Sequence, residues 1–175
     1  MALVIKGSSS GQVTVDVPAA AGTNTLVIPA ESGNILTNNT SGTIIQVVNT
    51  QSVSDRTTTS TSYASMTEAV TITPTNSSNK VLIMFQGVIE VSSGGRVRFS
   101  FKRGSTDITP SNTTGFVREQ DTSNVNLMVG AHFLDSPSTT SSTTYTLQAL
   151  VESGNQLTLI GQACPTIITA MEVVA

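Results

Sequence analysis

The chain has 175 residues, enough for one sandwich-sized domain or a compact domain with an appendage. Only 11% of them are charged, well under the ~25% usual in soluble domains, so Thr, Ser and Asn must solvate the surface. A net charge of -3 excludes the basic footprint of a nucleic-acid binder, a single Cys excludes an intrachain disulfide, and no apolar run approaches the ~18–20 residues of a membrane-spanning helix.

The first residues, MALVIKG, hold an apolar run too short for a signal peptide. In QVTVDVP, Val13, Val15 and Val17 alternate with Gln12, Thr14 and Asp16, the period of a half-buried strand that Pro18 stops. TLVIP, with Leu26 and Ile28 on its apolar positions, predicts a second short strand, and NILT (34–37) a third. Three such strands bury too little surface to fold alone, so Val13, Val15, Val17, Leu26 and Ile28 are candidate interface residues awaiting a partner.

After the loop NNTSG the strands lengthen. TIIQVV (43–48) and AVTITP (69–74) alternate, and KVLIMFQGVIEV (80–91) is so continuously apolar that it predicts a central strand buried on both faces and bent or bulged at Gly87. The SSGG turn predicts a hairpin into RVRFSFKR (96–103), with Val97, Phe99 and Phe101 inward and Arg96, Arg98, Ser100 and Lys102 outward. VNLMVGAHFL, TYTLQALV, QLTLIG and TIITAMEVV complete seven or eight strands, with ESGNQ a further hairpin signal. No segment keeps a helical period. The expected fold is all-β: an N-terminal arm over residues 1–42 followed by an antiparallel, jelly-roll-like β-sandwich over 43–175.

Chemistry-bearing residues do not gather into sets. His132, in VGAHFL, lacks a nucleophile-elbow motif nearby, and Cys164, in GQACPT, reads as a buried or turn thiol. One His and one Cys cannot supply a structural zinc site, and no Asp-rich calcium loop or phosphate-binding glycine loop is present. Glu119 and Asp121, in REQD, fall in a predicted loop rather than a cleft. No catalytic residue, metal or cofactor is expected. The cationic cluster is more informative: Arg96, Arg98, Lys102 and Arg103 are four of the eight cations, and alternation puts Arg96, Arg98 and Lys102 on one face, suited to acidic residues of a neighbouring subunit.

The segment GSSSGQVTVDVPAAAGTNTLVIPAESGNILT (7–37) resembles a module common in phage structural proteins: a strand, a Pro/Ala/Gly/Thr hinge, a second strand and a closing Gly-x-Ile-Leu-Thr. The remainder, with GTIIQVV, VTITPTNSSNKVLIMF, FSFKRGSTDI, FLDSPSTTSSTTYTLQALV and TIITAMEVV, resembles a domain of phage structural proteins, and its strand pattern is similar to trimeric jelly rolls of the tumour-necrosis-factor and complement type. The resemblance implies a non-enzymatic protein on the outer surface of the virion, homotrimeric, docking through its arm on a major capsid protein or another virion protein, with no nucleic-acid or membrane partner. A capsid decoration (cement) protein is the first expectation, since neither a long shaft nor an extended anchor is seen. A short tail fibre, touching host surface glycans through loops such as 106–124, is the alternative, although the chain has no Trp and two Tyr for stacking on sugars.

Overall fold

The computed structural model describes residues 3–16, 40–91, 95–108, 115–120, 126–152, 156–161 and 164–175. The chain divides into two compact units, Met1–Ile35 and Leu36–Ala175. Val17, Leu26, Ile28 and the strands expected at TLVIP and NILT lie outside the described residues.

In the first unit, β1 (Leu3–Lys6) pairs antiparallel with β2 (Gln12–Val15), Leu3 opposite Val15 and Ile5 opposite Val13. Gly11, at φ 77°, takes the left-handed conformation that closes the turn, and the Gly7 amide donates to its carbonyl at 3.0 Å. β1 carries no alternation in the sequence, because Leu3, Val4 and Ile5 are apolar in succession. Val13 and Val15 are 63% and 43% exposed, and among the described residues of this unit nothing covers the ribbon.

The second unit is a sandwich of two antiparallel sheets. One contains β3 (Ile44–Ser52), β13 (Thr166–Val173), β6 (Lys80–Val91), β12 (Leu157–Leu159) and β4 (Arg56–Thr58) in that order, with β10 (Asn126–Asp135) along the other side of β6. The second holds β5 (Ala64–Ile72), β11 (Thr143–Glu152) and β7 (Arg96–Arg103), with β8 (Thr106–Asp107) and β9 (Val117–Gln120) also pairing β7. The chain crosses repeatedly between sheets: β3, β6, β10 and β13 lie in the first, β5, β7, β9 and β11 in the second. This is jelly-roll connectivity. Among the described residues there is no helix.

Inward positions alternate as strand geometry demands. Ile83, Phe85 and Ile89 of the first sheet meet Phe99, Phe101 and Leu147 of the second, and the Phe85 and Phe99 rings lie 5.4 Å apart. The Phe116 ring packs tilted between those of Phe101 (5.5 Å) and Phe133 (4.9 Å).

Six expectations need correction. β6 and β7 do not form a hairpin; they belong to opposite sheets, so that their apolar sides face each other across the core. β11 and β12 are likewise divided between sheets. β6 is buried on one face only, and Gly87 keeps unbroken register with Val129 of β10. Gly87 instead sits where the partner on the other side of β6 changes from β13 to β12, and a Cβ there would come within 3.2 Å of Leu159 and 3.3 Å of Thr166. Finally, Ser100 is buried rather than outward-solvated, and Glu119 lies in β9 rather than in a loop.

Candidate functional site

The outer face of the first sheet is the most unusual surface of the sandwich. Because β6 alternates, its second apolar set (Leu82, Met84, Val88) points away from the core, and the registers of β3, β13 and β10 extend that set across the sheet. Val47, Met171, Leu82 and Leu134 stand opposite one another in an apolar row across four strands. The next rows are Asn49, Thr169, Met84 and His132, then Gln51, Ile167, Gln86 and Gly130. Val88 and Met128 follow on β6 and β10. Exposure reaches 58% at Val47, 43% at Met84, 72% at Met128 and 46% at Leu134. No Asp, Glu, Lys or Arg stands in these rows; Lys80 and Glu90 lie at the ends of β6. Sequence reading missed this face because an apolar residue on the far side of a strand looks the same whether a second layer covers it or not.

The outer face of the second sheet carries the expected cations. Arg98 donates to Glu152 of the same chain through Nε at 2.9 Å and through Nη2, while Arg96 Nη1 approaches the other carboxylate oxygen at 3.5 Å. Arg118, opposite Arg98 on β9, adds a third guanidinium at 3.9 Å from Glu152. The Arg98 hydrogen bonds, then the charges of Arg98 and Arg118, hold the Glu152 carboxyl below the usual carboxylate range. Lys102 stands opposite Asp107 across the β7–β8 pair. Arg96 and Arg98 thus have an acidic partner within their own sheet.

Arg103 leaves this group. Its Nη1 donates to both oxygens of Asp135 (2.8 and 2.7 Å), and the Tyr145 hydroxyl donates to Oδ2 at 2.8 Å. The trio ties β10 of the first sheet to β7 and β11 of the second. Tyr145 is wholly buried, and its phenol pKa is driven well up by burial and then by the Asp135 carboxylate.

His132 is exposed on the apolar face, Cys164 is an exposed thiol, and Asp121 lies outside the described residues. Among the described residues no group of three His, Cys, Asp or Glu side chains could hold a metal ion.

No protein-family model and no curated protein matches the chain. Solved structures of infectious bursal disease virus are similar at low identity: the virus of the Gt strain at 13% identity and TM-score 0.43, covering 98% of this chain, and an infectious bursal disease virus VP2 subviral particle at 14% and 0.41, covering 94%. The chain spans less than half the length of those proteins, 46% and 47% respectively.

Proposed function

We propose that the chain is a non-enzymatic structural protein of a virion, assembled as a homotrimer through the outer face of the first sheet and attached through its segment 1–42. The observation that carries this reading is the face centred on Leu82 and Met84, which exposes a full apolar row with Met84, Val88 and Met128 and holds no Asp, Glu, Lys or Arg. Fourteen positions at ~4.8 Å between strands and ~6.8 Å along them give a face of roughly 460 Å2 in plan, apolar at eight positions and free of Asp, Glu, Lys and Arg at all of them. A second copy of the chain is the occupant: in a threefold ring each copy turns this face to a different surface of its neighbour, and a face with no Asp, Glu, Lys or Arg enters that contact without burying an unpaired charge. A standard interface uses ~800 Å2 of accessible surface per partner, which side chains standing on such a plan approach.

The resemblance of residues 7–37 to a phage module supports the arm as the attachment element, and the exposed valines of β2 offer apolar surface for it. In a capsid decoration protein, three arms per trimer turn weak contacts into avidity. Arg118 and Lys102, on the outer face of the second sheet, offer cationic contacts to an acidic neighbour away from the assembly face.

Sedimentation of the full chain and of Met84→Glu and Leu134→Glu tests the assembly. The expected result is a trimer for the native chain and monomers with unchanged circular dichroism for both variants. A native chain that stays monomeric, or variants that remain trimeric, would overturn it. Co-purification with particles tests the arm: a chain lacking residues 1–42 that still binds at full occupancy removes it as the attachment element.

A further inference from the structure

A second site lies between the sheets, at the end of the sandwich where β3, β4, β5 and β13 converge. Glu68 of β5 points inward with Met66, Val70 and Ile72, and is 5% exposed. Its Oε1 lies 3.7 Å from Arg56 Nε, and the Ser52 hydroxyl hydrogen-bonds to the carboxylate. Its Oε2 is enclosed and has no protein partner. Thr166 of β13, 1% exposed, has an equally unpartnered Oγ1. Both residues line one cavity of about 150 Å3, together with Ser52, Arg56, Thr67 and Ile168.

The backbone is bent to make this site. Between Ser65 and Ala69, β5 advances four residues while β11 advances two, from Gln148 to Thr146, and Thr67 within the bulge holds φ at 65°. A β-branched side chain disfavours that conformation strongly, and bulges and strained residues of this kind collect at functional sites. Arg56 Nε donates to the Thr67 hydroxyl at 2.8 Å and holds the strained residue against the carboxylate.

We propose that this cavity binds a small neutral polyol, whose hydroxyls donate to Glu68 and Thr166 and accept from Arg56. The lining selects the class. A cation would meet Arg56 and an anion would meet Glu68, whereas a neutral ligand with adjacent hydroxyls matches a set of acceptor, donor and hydroxyl groups. The volume equals that of about five waters, the size of a short polyol or part of a sugar ring. Burial raises the Glu68 carboxyl above the usual range despite Ser52 and Arg56, so a donor supplied by a ligand relieves a cost that the empty site carries. The site is independent of the assembly face, so either can fail without the other.

The test is an amide-resolved NMR titration of the full chain with glycerol, erythritol and D-galactose, each at millimolar concentration. Saturable shifts are expected at Thr67, Glu68 and Thr166, weakened about tenfold or more in the isosteric variants Glu68→Gln and Thr166→Val. Saturation by the linear polyols alone points to a free polyol and by the hexose alone to a sugar residue; either supports the site. Absence of saturable shifts with all three probes, or equal shifts in both variants, overturns it. Thermal unfolding of the variants confirms that they are folded when titrated.

Discussion

Replacing Tyr145 by Phe deletes one hydroxyl from a wholly buried ring, and its effect can be worked from the contacts it makes. The hydroxyl donates at 2.8 Å to Asp135, which also takes two hydrogen bonds from Arg103. Phe fills the same volume without an orphaned polar atom, so the loss is the net worth of one hydrogen bond to a charged group, about 1.5–2 kcal/mol. Asp135→Asn is expected to cost more, about 2–3 kcal/mol, because it leaves the Arg103 charge without its counter-ion. Residual exposure of Arg103, 27%, keeps this below the full penalty for a broken buried pair. The two residues share one network, so the double variant should fall short of the sum by about 0.5–1.5 kcal/mol. Urea denaturation of the native chain, both single variants and the double, at protein concentrations low enough to exclude assembly, measures all four corners of the cycle. A Tyr145→Phe variant indistinguishable from the native chain, or strict additivity in the double variant, would refute the clamp between the sheets.

Glu68→Gln should stabilise the fold at neutral pH. The native carboxyl sits above its ordinary value of 4.5, chiefly through burial, so its contribution to stability is full below that value and is lost as pH rises through the raised one. The stability difference between native and Glu68→Gln chains should therefore grow between pH 4 and neutrality, and a difference flat with pH would contradict it. Glu172 behaves in the opposite sense: burial works upward, but Asn79 and Thr75 donate to its carboxylate strongly enough to lower its pKa. Its contribution is present above about 4.5 and lost as pH falls through the lowered value. Glu172→Ala, which frees the β5–β6 turn, should cost about 2–4 kcal/mol at neutral pH and much less in strong acid, measured by denaturation across pH. Gly161→Ala places a methyl against the Ser54 backbone, with its nitrogen at 2.7 Å, and should cost about 3 kcal/mol or more; a thermal midpoint matching the native chain would show that the loop can yield.

Alternation alone set the class of this fold. Val97, Phe99 and Phe101 had to share one side of β7, and Val70 and Ile72 one side of β5, because successive side chains on a strand oppose each other; all five are buried. Small turn residues bounded the strands for the same local reason. Partners across space were not legible. SSGG and ESGNQ signal reversals, but whether a reversal pairs two strands or carries the chain to the opposite sheet depends on which other strands claim their edges. β10 takes one side of β6, and β13 and β12 take the other.

The same limit governs the sites. A sequence shows that KVLIMF is apolar at successive positions, but exposure of Met84 follows only from the absence of a layer over it among the described residues. Arg96 and Arg98 were legible as neighbours on a face, whereas their partner Glu152 lies more than fifty positions away and Arg118 joins through β9. Glu68 and Thr166 stand far apart in the sequence, and only the closure of two sheets puts both on one cavity. Local period is a property of neighbouring residues, and the chain carries it wherever it goes. Cover, pairing and enclosure are properties of residues distant in sequence, and the packing of the sandwich decides them.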